Sequence, residues 1–240
     1  MKVKAVLIDL DDTLTATKHL YDEALGVCHE VFNKSTGMKL SEKGFKKLYK
    51  EAKLETIALV PTDAASHNRA IYFQRLVEKM DIQTDFDLIY QLYVTYYDYV
   101  YNNMEPYDGC EELLLWLKDE KKKIVIVSNG STHVRLEKIH ALGIGKYIDY
   151  LVSSEEVGIE KPSNQPFLVA LNKAKVTTKQ VVMIGNSASS DIYGGELLDM
   201  VTIQVDIGSK EKKPENKLQK PDYNVDNLSK IKVIIQKLES

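Results

Sequence analysis

The chain has 240 residues, 44% of them hydrophobic and 28% charged, with a formal net charge of −3. That supports one large domain or two moderate ones with a real core, and the faintly acidic balance offers no footprint for a nucleic acid polymer. No apolar run approaches the ~20 residues of a membrane span, Met1 leads into a strand without signal-peptide character, and two cysteines in unlike contexts, Cys28 and Cys110, fit a reducing cytoplasm better than a disulfide framework.

Val6-Leu7-Ile8 reads as a strand buried on both faces, as in a parallel sheet. It stops at Asp9, and Asp11 follows two positions on. In open α/β sheets ligands bind at the carboxyl ends of the strands, so both carboxylates leave the sheet where chemistry is expected. Carboxylates are oxygen ligands suited to Mg²⁺, and an aspartate can act as a nucleophile towards phosphorus. Taken alone, Asp11-Asp12-Thr13 is equally an acidic turn capping the next segment.

From about residue 16 to 103 the pattern is almost wholly helical. Segments are expected at 21–32, from Ser41 onward, at 64–79 and at 86–101, with 58–63 as the longest loop. This predicts an all-helical domain over 16–103, inserted into a second domain made of 1–15 and 104–240. Tyr93, Tyr96, Tyr97 and Val100 share one helical face, which packing within the bundle explains. Base stacking is the lesser alternative.

Met104-Glu105-Pro106-Tyr107-Asp108-Gly109 is turn chemistry. Beyond it a helix is expected at 110–120, then a buried strand at 123–127 ending in Ser128-Asn129-Gly130. A helix at 131–142 stops at Gly143. A short strand at 150–152 and a helix at 163–174 come next. The strand 181–184 ends in Gly185-Asn186-Ser187, and Ser190 or Asp191 opens a helix to about 198. A strand at 201–205, a charged loop at 208–221 and an amphipathic helix from Asn227 complete the chain. Such alternation predicts an α/β fold with a doubly wound parallel sheet.

Strand ends therefore present Asp9 and Asp11, Ser128, Lys161 in the loop after the third strand, and Asn186 with Asp191 beyond it. Each has a bland explanation as a cap or a surface group. Together at one sheet edge they point to phosphoryl transfer. A cation among carboxylates neutralises a phosphate dianion, a lysine adds fixed positive charge, and a hydroxyl with backbone amides holds the remaining oxygens.

The motif D-x-D-x-T at Asp9, Asp11 and Thr13, then Ser128, Lys161-Pro162, and Gly185-Asn186-Ser187 through Asp191, resembles the haloacid dehalogenase (HAD) superfamily over essentially the whole chain. Ser154-Glu155-Glu156-Val157-Gly158-Ile159-Glu160-Lys161-Pro162 and Asp191-Ile192-Tyr193-Gly194-Gly195 look like its branch of small-metabolite phosphatases. That branch includes pyrimidine 5′-nucleotidases, N-acylneuraminate-9-phosphatases and archaeal sugar-phosphate phosphatases. The resemblance implies a HAD-like Rossmannoid core with an inserted helical cap and a Mg²⁺-dependent phosphatase of a small phosphorylated metabolite. It implies Asp9 as nucleophile, forming an aspartyl-phosphate. Asp11 is the acid and base, and Thr13 orients it. Thr13, Ser128 and Asn129 belong to the phosphate site, and Lys161 stabilises Asp9 and the phosphate. Asp9, the Asp11 carbonyl and Asn186 would hold the metal, with Asp191 supporting it through water.

Asn186 departs from the aspartate usual there in the phosphatases of this family. Two alternatives arise from it: a metal-independent 2-haloacid dehalogenase, or a weakly active protein that binds a phosphometabolite. Asp11 argues against the first, because a halide leaving group needs no proton. In the helical insertion, Arg69 resembles residues of the metabolite-phosphatase branch that meet an anionic substrate group.

Overall fold

The computed structural model describes residues 1–80, 84–208 and 214–240. Part of the charged loop expected at 208–221 therefore lies outside the described residues. Contacts divide the chain into two compact units, Met1–Ala16 with Glu105–Ser240, and Thr17–Met104.

The first unit is built on a parallel sheet in the order β3-β2-β1-β4-β5-β6. At its centre, β1 (Ala5–Ile8) is buried throughout. β2 (Lys123–Ser128) lies on one side and β4 (Val181–Gly185) on the other, with Ala5 opposite both Lys123 and Val181. β3 (Tyr150–Ser153) flanks β2, while β5 (Val201–Val205) and β6 (Tyr223–Val225) extend the other wing. The chain fills one wing before crossing to the other, so neighbours β1 and β4 mark the topological switch, where a crevice opens beyond the carboxyl ends of the strands. The aliphatic runs of β1, β2 and β4 suit strands covered on both faces.

The helical unit holds α1 (Lys18–Thr36), α2 (Glu42–Leu59), α3 (Arg69–Glu78) and α4 (Phe86–Asn103). Leu20, Ala24, Leu25, Cys28 and Phe32 give α1 its buried stripe at helical spacing. Side-chain caps set the starts: Ser41 accepts from the Gly44 amide and Asp85 from the Leu88 amide. The helix expected at 64–79 is broken. A 3₁₀ turn, Ala64–His67, precedes Asn68, whose side chain accepts from the Ala70 amide and restarts the chain as α3. Asparagine offers the backbone this alternative to helix continuation. The expected loop at 58–63 is shorter, because α2 runs through Leu59. Tyr96, Tyr97 and Val100 are buried, and Tyr93 packs edge-on against Tyr97 at 5.1 Å. The tyrosines of α4 therefore serve packing, with Tyr96 against both Tyr49 and Phe73.

Around the sheet stand α5 (Cys110–Asp119), α6 (Thr132–Ala141), the short α7 (Ser154–Val157), α8 (Asn164–Ala174), α9 (Tyr193–Leu197) and α10 (Ser229–Glu239). Phe167 and Ala170 of α8 pack with Leu7, Val125, Val152 and Met183 of the sheet. Before α9 the chain makes a wide π-helical turn, Ala188–Ile192, in which the Asp191 and Ile192 amides both donate to the Ser187 carbonyl. Strand β6 is not expected from the sequence. It is three residues long at a sheet edge, too short for an alternating pattern to show. Both cysteines are buried free thiols, and among the described residues no helix is long and apolar enough to cross a membrane.

Candidate active site

The turn after β1 sets the first geometry. The Asp9 amide still donates to Ile184 of β4 at 2.9 Å. The chain then folds back, with Asp12 in the left-handed region at φ 57° and its amide on the Thr15 carbonyl at 2.8 Å. Thr13 is thereby returned beneath Asp9. Its hydroxyl donates to Asp9 Oδ2 at 3.2 Å and lies 3.4 Å from Asn186 Oδ1. Thr13 therefore orients Asp9 and not Asp11, correcting the sequence expectation. The turn doubles back within four residues, which brings i and i+4 together.

Lys161 stands at the centre of the buried cluster. Its Nζ donates to Asp9 Oδ1 at 2.7 Å, Asp191 Oδ1 at 2.6 Å and the Val127 carbonyl at 2.6 Å. Burial alone would lower the pKa of Lys161, but the Asp191 and Asp9 carboxylates outweigh it and keep the ammonium charged. For Asp9 burial dominates. Together with the neighbouring Asp191 charge it overcomes Lys161 and lifts the carboxyl to about 6. One cation thus serves two carboxylates.

Asn129 brackets the Lys161 peptide: Oδ1 accepts from the Lys161 amide at 2.8 Å and Nδ2 donates to its carbonyl at 3.2 Å. Its side chain positions the lysine loop, which leaves its backbone as what it can offer a phosphate. Asp191 gives its second oxygen to the Ser187 amide at 3.0 Å. It acts on the site through Lys161 and through the loop carrying Asn186. Gly185 makes this possible, since a Cβ there would meet the Asp191 carboxylate at 2.4 Å.

Asp11 has different company. Arg135 donates to its Oδ2 and Lys138 to its Oδ1, both from α6 and both nearly fully buried. Burial raises the Asp11 pKa, yet Lys138 and Arg135 outweigh it and hold the carboxyl well below the usual range. Gly130, at φ 112°, leaves the room: a Cβ there would stand 2.6 Å from the Arg135 guanidinium. Sequence reasoning missed both cations. Their signal is their place on the buried face of α6 with Val134 and Ile139, where an amphipathic helix is expected to be apolar.

Ser128 ends β2 with its side chain buried, and among the described residues its hydroxyl makes no hydrogen bond, so it is open to a ligand. Asn186 follows β4, its carbonyl accepting from Gln204 Nε2 of β5 at 3.1 Å. Gln204 is a second supporting residue that sequence reasoning missed. Asp9 Oδ2 and Asn186 Oδ1 converge on one hydroxyl, a hard-oxygen donor set that fits Mg²⁺, which keeps several waters among its ligands. Among the described residues no three Asp, Glu, His or Cys side chains form such a set, consistent with an amide at position 186.

Arg69 opens α3 in the helical unit. Its guanidinium lies 5.2 Å from the Tyr21 ring centre, 5.7 Å from Tyr72 and 6.0 Å from Tyr96, and donates to the His67 carbonyl at 2.6 Å. No carboxylate among the described residues pairs with it, and its Nε is buried without a partner.

Residues 3–199 match the haloacid dehalogenase-like hydrolase family. This chain belongs to that family. A glyceraldehyde 3-phosphate phosphatase of Methanopyrus kandleri is 27% identical over 238 residues, 98% of each chain. The pyrimidine 5′-nucleotidase YjjG of Escherichia coli is 32% identical over 133 residues, 55% of this chain and 57% of its own. The 2-haloacid dehalogenase of Pseudomonas syringae pv. Tomato DC3000 shares the fold, with a TM-score of 0.78 at 21% identity over 98% of this chain and 99% of that one. The HAD-like resemblance carried by Asp9, Asp11, Thr13, Ser128 and Lys161 is thus borne out, as is the doubly wound α/β fold.

Proposed function

We propose that this HAD-like hydrolase is a Mg²⁺-dependent phosphatase of a small phosphorylated metabolite, working through a phosphoryl group carried on Asp9. The observation that carries the reading is the pair of carboxylates Asp9 and Asp11 on one turn, Asp9 sharing Lys161 with Asp191 and Asp11 held by Arg135 and Lys138. A carbon–halogen bond needs one nucleophile and no proton for its leaving group. A second carboxylate on the same turn gives the leaving alkoxide the proton donor that a halide does not need. The relatives' names, phosphatases of glyceraldehyde 3-phosphate and of pyrimidine nucleotides, point the same way.

Lys161 and Thr13 hold the Asp9 carboxylate in place to attack phosphorus. The ester P–O bond breaks as the Asp9 O–P bond forms, and the alkoxide leaves with a proton from Asp11. Water then attacks the phosphoryl group, giving its proton to Asp11 and freeing Asp9 and inorganic phosphate. As paired with Arg135 and Lys138, Asp11 is ionised, the form the second step uses. Before the first step Asp11 takes up a proton from solvent, which requires those cations to relax their hold once substrate is present. Ser128 and backbone amides after β2 receive the phosphate oxygens. Asp9, the Asp11 carbonyl and Asn186 would hold Mg²⁺, which when bound would supply charge neutralisation between the dianion and the nucleophile. Arg69 is the helical unit's candidate for an anionic substrate group.

The test is a phosphate-release screen over triose and pentose phosphates and pyrimidine nucleotides, with and without Mg²⁺, beside a halide-release assay on a 2-haloacid. Mg²⁺-dependent phosphate release that Asp9→Asn abolishes is expected. Halide release, or no phosphate from any ester, would overturn the reading.

A further inference from the structure

The amino ends of the strands, at the opposite edge of the sheet from Asp9, border a cavity of about 540 Å³. Lys2, Lys4, Lys121, Lys122, Lys123 and Lys175 line it, with Glu120 and Glu239 as its only acids among the described residues. Two of these lysines are engaged. Buried Lys122 donates to both oxygens of Glu239 at 2.8 Å and to the Val3 carbonyl at 3.0 Å, and Lys123 pairs with Asp149 at 3.0 Å. Glu239 is thereby neutralised and also accepts from the Val3 amide at 3.0 Å. Lys2, Lys4, Lys121 and Lys175 pair with no carboxylate among the described residues, and Glu120 is the one acid left to oppose them. The chain as a whole carries a net charge of −3, so this lysine excess is local.

The backbone adds an independent observation. Lys121, just beyond α5, has φ 56°, and Lys175, just beyond α8, has φ 57°. Both are left-handed positions at helix ends, where glycine is the usual and unstrained occupant. Both carry lysine instead, and both line the same cavity. A cation is favoured at a helix C-terminus, which accounts for these two but not for Lys2 and Lys4 on the approach to β1.

We propose that this cavity binds a small polyanion bearing two or three linked phosphates, at a site separate from the Asp9 centre. Lysines are point charges on flexible stems that meet phosphate oxygens without demanding one geometry. Four unpaired ammonium groups in one cavity repel one another, and a single monoanion cannot offset them. A linked phosphate chain carries several charges in the same space. The volume falls within the range of metabolite sites.

Inorganic triphosphate is the probe, titrated calorimetrically into the wild-type protein and into the double variant Lys121→Gly, Lys175→Gly at matched ionic strength. Glycine relieves the left-handed backbone at both positions, so the variant is expected to fold, as far-UV circular dichroism will show. Lys4→Gln, an exposed side chain in no ion pair, repeats the test without touching the backbone. Triphosphate affinity should fall at least about tenfold in the double variant, with kcat and KM for the phosphatase substrate unchanged. Equal affinity in wild type and both variants would place all binding elsewhere and overturn the proposal, as would no binding at all. If orthophosphate loses as much affinity as triphosphate, the assignment to linked phosphates is wrong. Binding is read without turnover, so the outcome is independent of the phosphatase assignment.

Discussion

Asp9 and Asp11 lie two residues apart on one turn and face opposite surroundings. Around Asp9 a single cation, Lys161, is shared with a second carboxylate, Asp191. Around Asp11 two cations, Arg135 and Lys138, converge on one carboxylate. The first cluster has a surplus of negative charge and the second a surplus of positive charge. Burial and Asp191 lift Asp9 to about 6, whereas Lys138 and Arg135 overcome burial and hold Asp11 low. The contrast teaches that neighbours drawn from different elements can give identical side chains on one turn unlike tasks. A negative surplus attracts a divalent cation, and a positive surplus beside it attracts a phosphate dianion.

The sharpest way to break the comparison is to take the carboxylate away from one side of it. Asp9→Asn removes the proposed nucleophile while keeping the side chain's shape and its contact with Thr13. Phosphate release should fall by roughly 10⁴-fold or more, with an unchanged circular dichroism spectrum. Substantial residual turnover in a clean preparation would mean that Asp9 is not the attacking group.

Removing the shared cation tests the negative side. Lys161→Met leaves Asp9 and Asp191 buried and unpaired. Breaking a buried pair in this way costs about 3–5 kcal/mol, read as a lower urea midpoint. Adding Asp191→Asn to that variant should recover part of the loss. If Lys161→Met unfolds at the wild-type midpoint, the three-group cluster is not the stabilising unit its contacts suggest.

The positive side is tested by Lys138→Met, which keeps the length of a buried stem and deletes its charge. Turnover should fall by roughly 10²-fold, the low end of what acid and base catalysis contributes. The folded pKa of Asp11 is depressed, so its pairing stabilises the fold above the ordinary carboxylate value of 3.8. That contribution disappears as the pH falls through the folded value. The stability gap between wild type and Lys138→Met should therefore narrow in acid below 3.8. A gap that stays constant there would show that Lys138 acts by packing alone.

The smallest expected effect sharpens the metal side. Asn186→Asp adds one negative charge to the donor set and should tighten Mg²⁺ by about 1–2 kcal/mol, since an effective dielectric near 20 damps a single charge. Titrating Mg²⁺ against rate for both proteins checks this at fixed ionic strength. Coincident curves would remove Asn186 from the metal's ligands.

Much of this arrangement is legible in the amino-acid sequence. Val6-Leu7-Ile8 ending at Asp9, the run of β2 ending at Ser128 and that of β4 ending at Gly185-Asn186 each announce a buried strand whose end meets a polar group. Other features are hidden there for physical reasons. Asn68 interrupts what periodicity reads as one helix, because its own side chain competes for a backbone amide. Strand β6 exists because β5 offers a paired edge, with Ile203 opposite Tyr223. Thr13 matches its motif position, yet only the tightness of the turn decides that its hydroxyl meets Asp9.

Local pattern thus reaches the strands, the helices and the residues standing where strands end, because periodicity and capping depend on neighbours a few positions away. The surroundings of those residues are a different matter. Lys161 reaches Asp9 across 152 positions, and Arg135 and Lys138 reach Asp11 across 124 and 127. No rule along the chain pairs a given acid with a given cation at such separations. Strand order, the absence of a Cβ at Gly130 and Gly185, and burial at the switch between β1 and β4 decide which charges meet, and through them what each aspartate can do.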